Sequence, residues 1–124
     1  MKFTEHREPG IYTVKRYEPG SVKVNDMTFT SSFYMTQTNF NDSWGCHSID
    51  DFDQQMLDLL LEEKPEVIIL GTGETQQFPD MALYAHCTSQ GVGLEFMTND
   101  AACRTYNVIT TEDRDIVLAL IMPR

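Results

Sequence analysis

Val67-Ile68-Ile69-Leu70 is an unbroken apolar run, stopped by Gly71-Thr72-Gly73. A strand with one wet face alternates apolar and polar residues, so a run with no polar member must be covered on both faces. The neighbouring sequence supplies covers. Residues 49–64 place Phe52, Met56, Leu59 and Leu60 at helical spacing, widened by Leu57 and Leu61, and Pro65 stops the helix. Asp50 is the expected N-cap with Asp53 as its acidic partner; Ser48 with Asp51 is an equally legal register. Residues 81–90 predict a second helix with Leu83 and Cys87 on one face and Gly91 as C-cap. Residues 92–97 predict a second buried strand, residues 100–110 a third helix capped by Asp100, and residues 115–122 a final apolar strand. Strands alternating with helices predict an α/β sheet covered by helices, with parallel neighbours among its strands.

The first third reads differently. Ile11-Tyr12-Thr13-Val14-Lys15-Arg16-Tyr17 is rich in β-branched and aromatic residues, Glu18-Pro19-Gly20 turns the chain, and Val22 and Val24 alternate with Lys23. With Asn25-Asp26 as a tight turn and residues 27–35 continuing in Thr, Phe and Tyr, this is an antiparallel β-meander. Residues 36–46 lack periodicity and read as a loop or ragged strand around Trp44, itself a core-edge or a binding residue. No linker, repeat or low-complexity tract interrupts residues 1–124, which are expected to form a single domain.

Charge narrows the function classes. The chain carries a net charge of −10. Residues 36–100 hold one Lys against twelve Asp and Glu, whereas residues 1–35 and 101–124 are close to balanced. Such an acidic middle repels phosphate backbones and anionic bilayers, so nucleic acid is an unfavourable partner. A basic protein partner is compatible, as is a solvated face kept for solubility. No apolar run approaches the ~18–20 residues of a membrane span, so no direct membrane insertion is expected. The segment Met1-Lys2-Phe3-Thr4-Glu5-His6-Arg7-Glu8-Pro9-Gly10 lacks the apolar core of a signal peptide. Three cysteines, Cys46, Cys87 and Cys103, none in a C-x-x-C pair, suit a reducing, cytoplasmic setting.

The candidate sites compete with simpler readings. Gly71-Thr72-Gly73 at a strand end, with Glu95 on the next strand, invites a dinucleotide reading. The third glycine position is Gln76, however, and Glu74-Thr75-Gln76-Gln77-Phe78-Pro79 separates the glycines from the helix start that would bind phosphate. A sharp strand-to-loop turn accounts for the glycines. Cys103 falls in the first turn of its helix beside Arg104, a position that favours thiolate, while Asp100 opposes it. A nucleophile needs a base, and His6, His47 and His86 belong to no recognisable catalytic pattern. Helical geometry puts Ala101, Ala102, Thr105, Val108 and Ile109 on one side, toward the sheet. Cys103, Arg104 and Asn107 lie across from it, flanked by Tyr106, facing a groove, a loop or a partner. Glu95, on a strand expected to be covered, needs a partner, and Arg104 is best placed to pair with it. Adjacent Cys46-His47 with no second spaced pair does not suit zinc, and no pattern calls for a cofactor.

Three blocks carry a resemblance. They are Pro65-Glu66-Val67-Ile68-Ile69-Leu70-Gly71-Thr72-Gly73, Gln77-Phe78-Pro79, and Gly91-Val92-Gly93-Leu94-Glu95-Phe96-Met97 running on to Ala101-Ala102-Cys103-Arg104-Thr105-Tyr106-Asn107. Together they resemble the domain of unknown function that bacterial and archaeal proteins share with the mitochondrial NADH:ubiquinone oxidoreductase (complex I) assembly factor 3. The adipogenesis-associated Mth-type domain-containing protein is a further relative. The resemblance implies a three-layer fold with a central mixed sheet and extra N-terminal β-structure. It brings no catalytic residue or cofactor. Its mitochondrial members imply a role in assembling a membrane-bound respiratory complex, which need not extend to a chain that reads as bacterial. Met97-Thr98-Asn99-Asp100 stands where the family usually shows Met-Asp-Thr-Gly.

Two functions remain open. One is a non-enzymatic interaction or assembly protein, with a homodimer compatible with so small a domain. The other is a small-molecule binder or cryptic enzyme with a groove between the loop over residues 71–79 and the Cys103, Arg104 and Asn107 face.

Overall fold

The computed structural model describes residues 11–110 and 114–123; the expectations for residues 1–10, His6 among them, lie outside these. Three short strands, β1 (Val14–Glu18), β2 (Ser21–Val24) and β3 (Met27–Phe29), form an antiparallel meander. Asn25 makes its β2–β3 turn at φ +52, and its side chain accepts from the Thr13 amide (3.0 Å) and donates to the Ile11 carbonyl (3.1 Å). Residues 27–35 do not continue as one strand. The chain leaves the small sheet after Phe29, bends at Ser31, and enters a second sheet as β4 (Phe33–Met35). Ser32 anchors the crossing, its hydroxyl donating to the Met122 carbonyl at 3.0 Å and accepting from the Met122 amide at 2.7 Å.

That second sheet contains β4, β5 (Phe40–Asn41), β6 (Val67–Gly71), β7 (Gly93–Met97) and β8 (Ile116–Leu120), in the order β5-β4-β8-β6-β7. β6 runs parallel to β7 and β8, and β4 runs antiparallel to β5 and β8, so the sheet is mixed. The double burial expected of Val67-Ile68-Ile69-Leu70 arises by alternation. Ile68 and Leu70, with Val117 and Ala119 of β8, pack on Leu57 and Leu60 of helix α1 (Gln54–Leu61) and Leu83 and Cys87 of α2 (Met81–Ser89). Ile69, with Ile116, Leu118 and Leu120, packs on Ala102, Cys103 and Tyr106 of α3 (Asn99–Ile109) and on Val14, Val22 and Val24 of the meander. The layers are therefore α1 and α2, the mixed sheet, then α3 with the small sheet.

Local chemistry moves several boundaries. The first helix begins at Gln54 rather than near residue 50. Ile49–Asp51 is a 3₁₀ turn, Phe52 is extended (ψ 96°) and buried near Trp44, and Asp53 caps α1 by accepting from the Met56 amide at 3.0 Å. Trp44 is a core residue, 3% exposed, donating to the Met56 carbonyl (3.3 Å). Thr98, not Asp100, caps α3 through the Ala101 amide (3.3 Å), which lets the helix start at Asn99.

Candidate functional site

In open α/β sheets, ligands bind outside the carboxyl ends of the strands, where connections leave toward opposite faces. Here β6 leads to α2 on one face and β7 leads to α3 on the other. The residues after β6 and before α3 line this position. Asn99 fills it. Its side chain is 1% exposed, with Oδ1 accepting from the Gly73 amide (3.1 Å) and Nδ2 donating to the Ile121 carbonyl (3.1 Å), while its own N–H donates to the Gly73 carbonyl (2.8 Å). Gly71 makes room for it: a Cβ there would lie 2.3 Å from Asn99 Oδ1 and 2.6 Å from Leu120 Cδ2. Gly73, at φ +113, takes a backbone conformation that a side chain would strain.

Thr72 performs the same task for the following loop. Its N–H donates to the Met97 carbonyl (2.9 Å), and its buried hydroxyl donates to the Thr75 carbonyl (2.9 Å) and accepts from the Gln77 amide (3.0 Å). From the small sheet, Tyr17 donates its phenol to the Glu74 carboxylate. Burial, and then the hydrogen bond to Glu74, push the Tyr17 phenol up to about 12. The glycine motif is thus the seat of a polar lock joining β6, β7, β8, α3 and the meander.

The remaining expected residues disperse around α3. Its buried stripe is Asn99, Ala102, Cys103 and Tyr106, and Val108 is 64% exposed, so the helix is rolled from the orientation expected with Ala101, Ala102, Thr105, Val108 and Ile109 toward the sheet. Asn99 sets that roll, because it must point inward to reach Gly73 and Ile121. Cys103 consequently faces the core at 3% exposure; burial, and then Asp100, push its thiol up to about 12. Such a thiol is protonated at neutral pH, the opposite of an activated nucleophile. Asn107 clamps β1, donating to the Val14 carbonyl (2.8 Å) and accepting from the Val14 amide (3.3 Å).

The expected Glu95–Arg104 pair does not form. Arg104 pairs with Asp100 one turn back on its own helix, at 3.3 Å and largely exposed. Glu95 is exposed because β7 is an edge strand and α3 lies chiefly over β6 and β8. It lines a shallow depression of about 510 Å³ with Gln76, Phe78, Met81, Tyr84, Leu94 and Phe96. Phe78 is 71% exposed and meets Phe96 edge-on, with ring centroids 5.1 Å apart. A second depression of about 420 Å³ shares Phe78 and adds Asp50, Asp53 and Asp80. Sequence reasoning missed this surface and the Asn99 lock. The exposed Phe78 and Met81 flank the glycine loop at positions where no periodic pattern buries them, which was the available signal. Among the described residues, no three His, Cys, Asp or Glu side chains come together as a metal site would require.

Residues 14–121 match the family model described as "Protein of unknown function (DUF498/DUF598)". The chain belongs to this family. A Xanthomonas campestris protein solved by NMR is 36% identical and superposes with a TM-score of 0.85, covering 98% of this chain and 92% of that one. A Bordetella pertussis protein described as a Mth938-like domain is 25% identical, with a TM-score of 0.80 over 98% of this chain and 92% of its own. Among curated relatives, the "13 kDa major membrane protein" of Francisella tularensis subsp. holarctica is 36% identical over 73 residues, 59% of each chain. NADH dehydrogenase [ubiquinone] 1 alpha subcomplex assembly factor 3 of Drosophila melanogaster is 29% identical over 85 residues, 65% of this chain and 43% of that protein. The chain spans less than two thirds of the length of either curated relative. The family resemblance and the three-layer mixed-sheet fold read from the sequence both hold. No helix among the described residues is long and apolar enough to cross a membrane.

Proposed function

We propose that this chain is a non-enzymatic interaction module that holds or presents other proteins during assembly. The observation that carries the reading is the filled carboxyl end of the sheet. Asn99 and Thr72 occupy the position where a ligand would sit, and their polar groups are spent on the loop after β6 and on Ile121 after β8. Relatives named as assembly factors for a multi-subunit enzyme support it. The alternative of a small-molecule binder or cryptic enzyme draws nothing from Cys103, buried and protonated, or from Asn107, committed to β1. Affinity purification of the tagged chain from the cells that natively make it, followed by mass spectrometry, is the test. Recovery of one or a few proteins in near-stoichiometric amount is expected. Recovery of the chain free of protein partners but carrying a bound metabolite would overturn the reading.

A further inference from the structure

β7 ends the five-stranded sheet, and the outer edge of an end strand is a template for another chain. The Gly93 amide donates to the Glu66 carbonyl and the Met97 carbonyl accepts from Thr72, so residues 93, 95 and 97 turn their backbone groups toward β6. Leu94 and Phe96 turn theirs outward. The Phe96 carbonyl accepts from Gln76 Nε2 at 3.1 Å; both amides and the Leu94 carbonyl face away from the sheet. Native edges are guarded by proline, lysine or a bulge. The segment Gly-Leu-Glu-Phe-Met of β7 has none of these, and its one charge is acidic.

An apolar surface lies beside this edge. Phe78, Met81 and Tyr84 are 71%, 62% and 39% exposed, and the two depressions meet at Phe78. Its surroundings carry one sign of charge. Glu95 stands on one side of Phe78 and Asp50, Asp53 and Asp80 on the other, and no Lys or Arg occurs in the sequence between Lys64 and Arg104. A second copy of a chain with net charge −10 would bring like charges onto this surface. A basic segment would relieve them.

We infer that the β7 edge with its Phe78–Met81 flank is the docking surface for a basic, extended segment of a partner protein. The segment adds to the sheet as a strand, its alternate apolar side chains settling against Phe78 and Met81 and its Lys or Arg residues facing Glu95 and Asp80. This inference rests on the interaction reading above and names the surface and the partner chemistry.

The test uses the whole chain against a displayed library of random peptides of about twelve residues. Selected peptides are expected to alternate Lys or Arg with apolar residues and to shift and protect the Leu94 and Phe96 amides in NMR spectra. They are expected to lose at least about tenfold in affinity for Phe78→Ser/Met81→Ser, a variant of exposed residues whose fold is checked by the same spectra. Glu95→Lys should weaken them in a salt-dependent way. Selection of peptides without basic residues, equal binding to the double variant, or shifts confined to other elements would each overturn the inference. So would a wild-type dimer, seen by sedimentation, that the double variant abolishes, because the occupant would then be a second copy. The two claims fail separately: partners that the double variant still captures in the purification overturn this surface and leave the interaction reading standing. Wild-type chain recovered without protein partners overturns that reading whatever the peptides do.

Discussion

Asn99→Ala should be among the most damaging single truncations in this chain. It leaves the Gly73 amide and the Ile121 carbonyl without the partners they now hold at 3.1 Å each. An unsatisfied buried backbone group costs about 1–3 kcal/mol. Ile121, at 2% exposure, should bear the upper part of that range, whereas half-buried Gly73 can turn to water. The expected loss is about 2–4 kcal/mol, or a fall in Tm of about 10 °C for a domain of this size. α3 itself should persist, because Thr98 provides its cap. Gly71→Ala should cost about 1–3 kcal/mol by overpacking, since its methyl group meets both Asn99 Oδ1 and the fully buried Leu120. The double variant should lose about 1 kcal/mol less than the sum, because removing the Asn99 side chain relieves one of the two collisions. Urea denaturation followed by circular dichroism measures all three, with the slope m expected to stay constant. An Asn99→Ala loss below about 0.5 kcal/mol, or strict additivity in the cycle, would refute the lock.

Other parts of the account are separately exposed. Cys103 should react with a thiol reagent in the native protein only at the rate of unfolding; fast labelling with an apparent pKa below 8 would contradict its burial. Cys46, Cys87 and Cys103 all have raised pKa values, so their protonated form is held in the fold while the unfolded chain ionises. Their stabilising effect is complete below the ordinary thiol pKa, and stability should fall as pH rises from about 9 toward 12, by at most about 1.4 kcal/mol per pH unit per thiol. Cys103→Ala should lessen that slope, and an unchanged slope would contradict the assignment. Tyr106→Phe should be neutral or stabilising by up to about 1 kcal/mol, because its wholly buried hydroxyl makes no hydrogen bond among the described residues. A loss above 1 kcal/mol in the denaturation midpoint would reveal a partner. Arg104→Ala should change stability by less than about 0.5 kcal/mol, as suits an exposed pair, and should show no coupling to Glu95→Gln in a double-mutant cycle.

The layers were legible because the unbroken apolar runs that become Val67–Gly71 and Ile116–Leu120 demand cover on both faces, and the helical spacing of apolar residues in Gln54–Leu61 supplies one cover; both signals come from local side-chain order. What failed was long-range. The roll of α3 is set by Asn99 reaching Gly73 and Ile121, residues 26 and 22 positions away, and a helical wheel sees neither. Pairing Glu95 with Arg104 presumes a strand covered on both faces, yet position in a sheet is a property of topology, and the order of strands places β7 at the edge. Likewise the crossing from β3 to β4 is hidden within a continuous β-like stretch, because Ser32, which anchors it, finds its partner in Met122, 90 positions away. The glycine motif reads as a strand-to-loop turn, but only the close approach of Asn99 shows why position 71 excludes a side chain.

The most direct measurement places a photo-crosslinking amino acid at position 78 and irradiates cells that carry the full chain, with the same substitution at exposed Leu59 as a control. A docking module that works through the β7 edge should yield a discrete protein adduct from position 78, absent from position 59 and lost on Glu95→Lys. No protein adduct at position 78, together with rapid labelling of native Cys103, would contradict the account and return the question to chemistry at the sheet's carboxyl end.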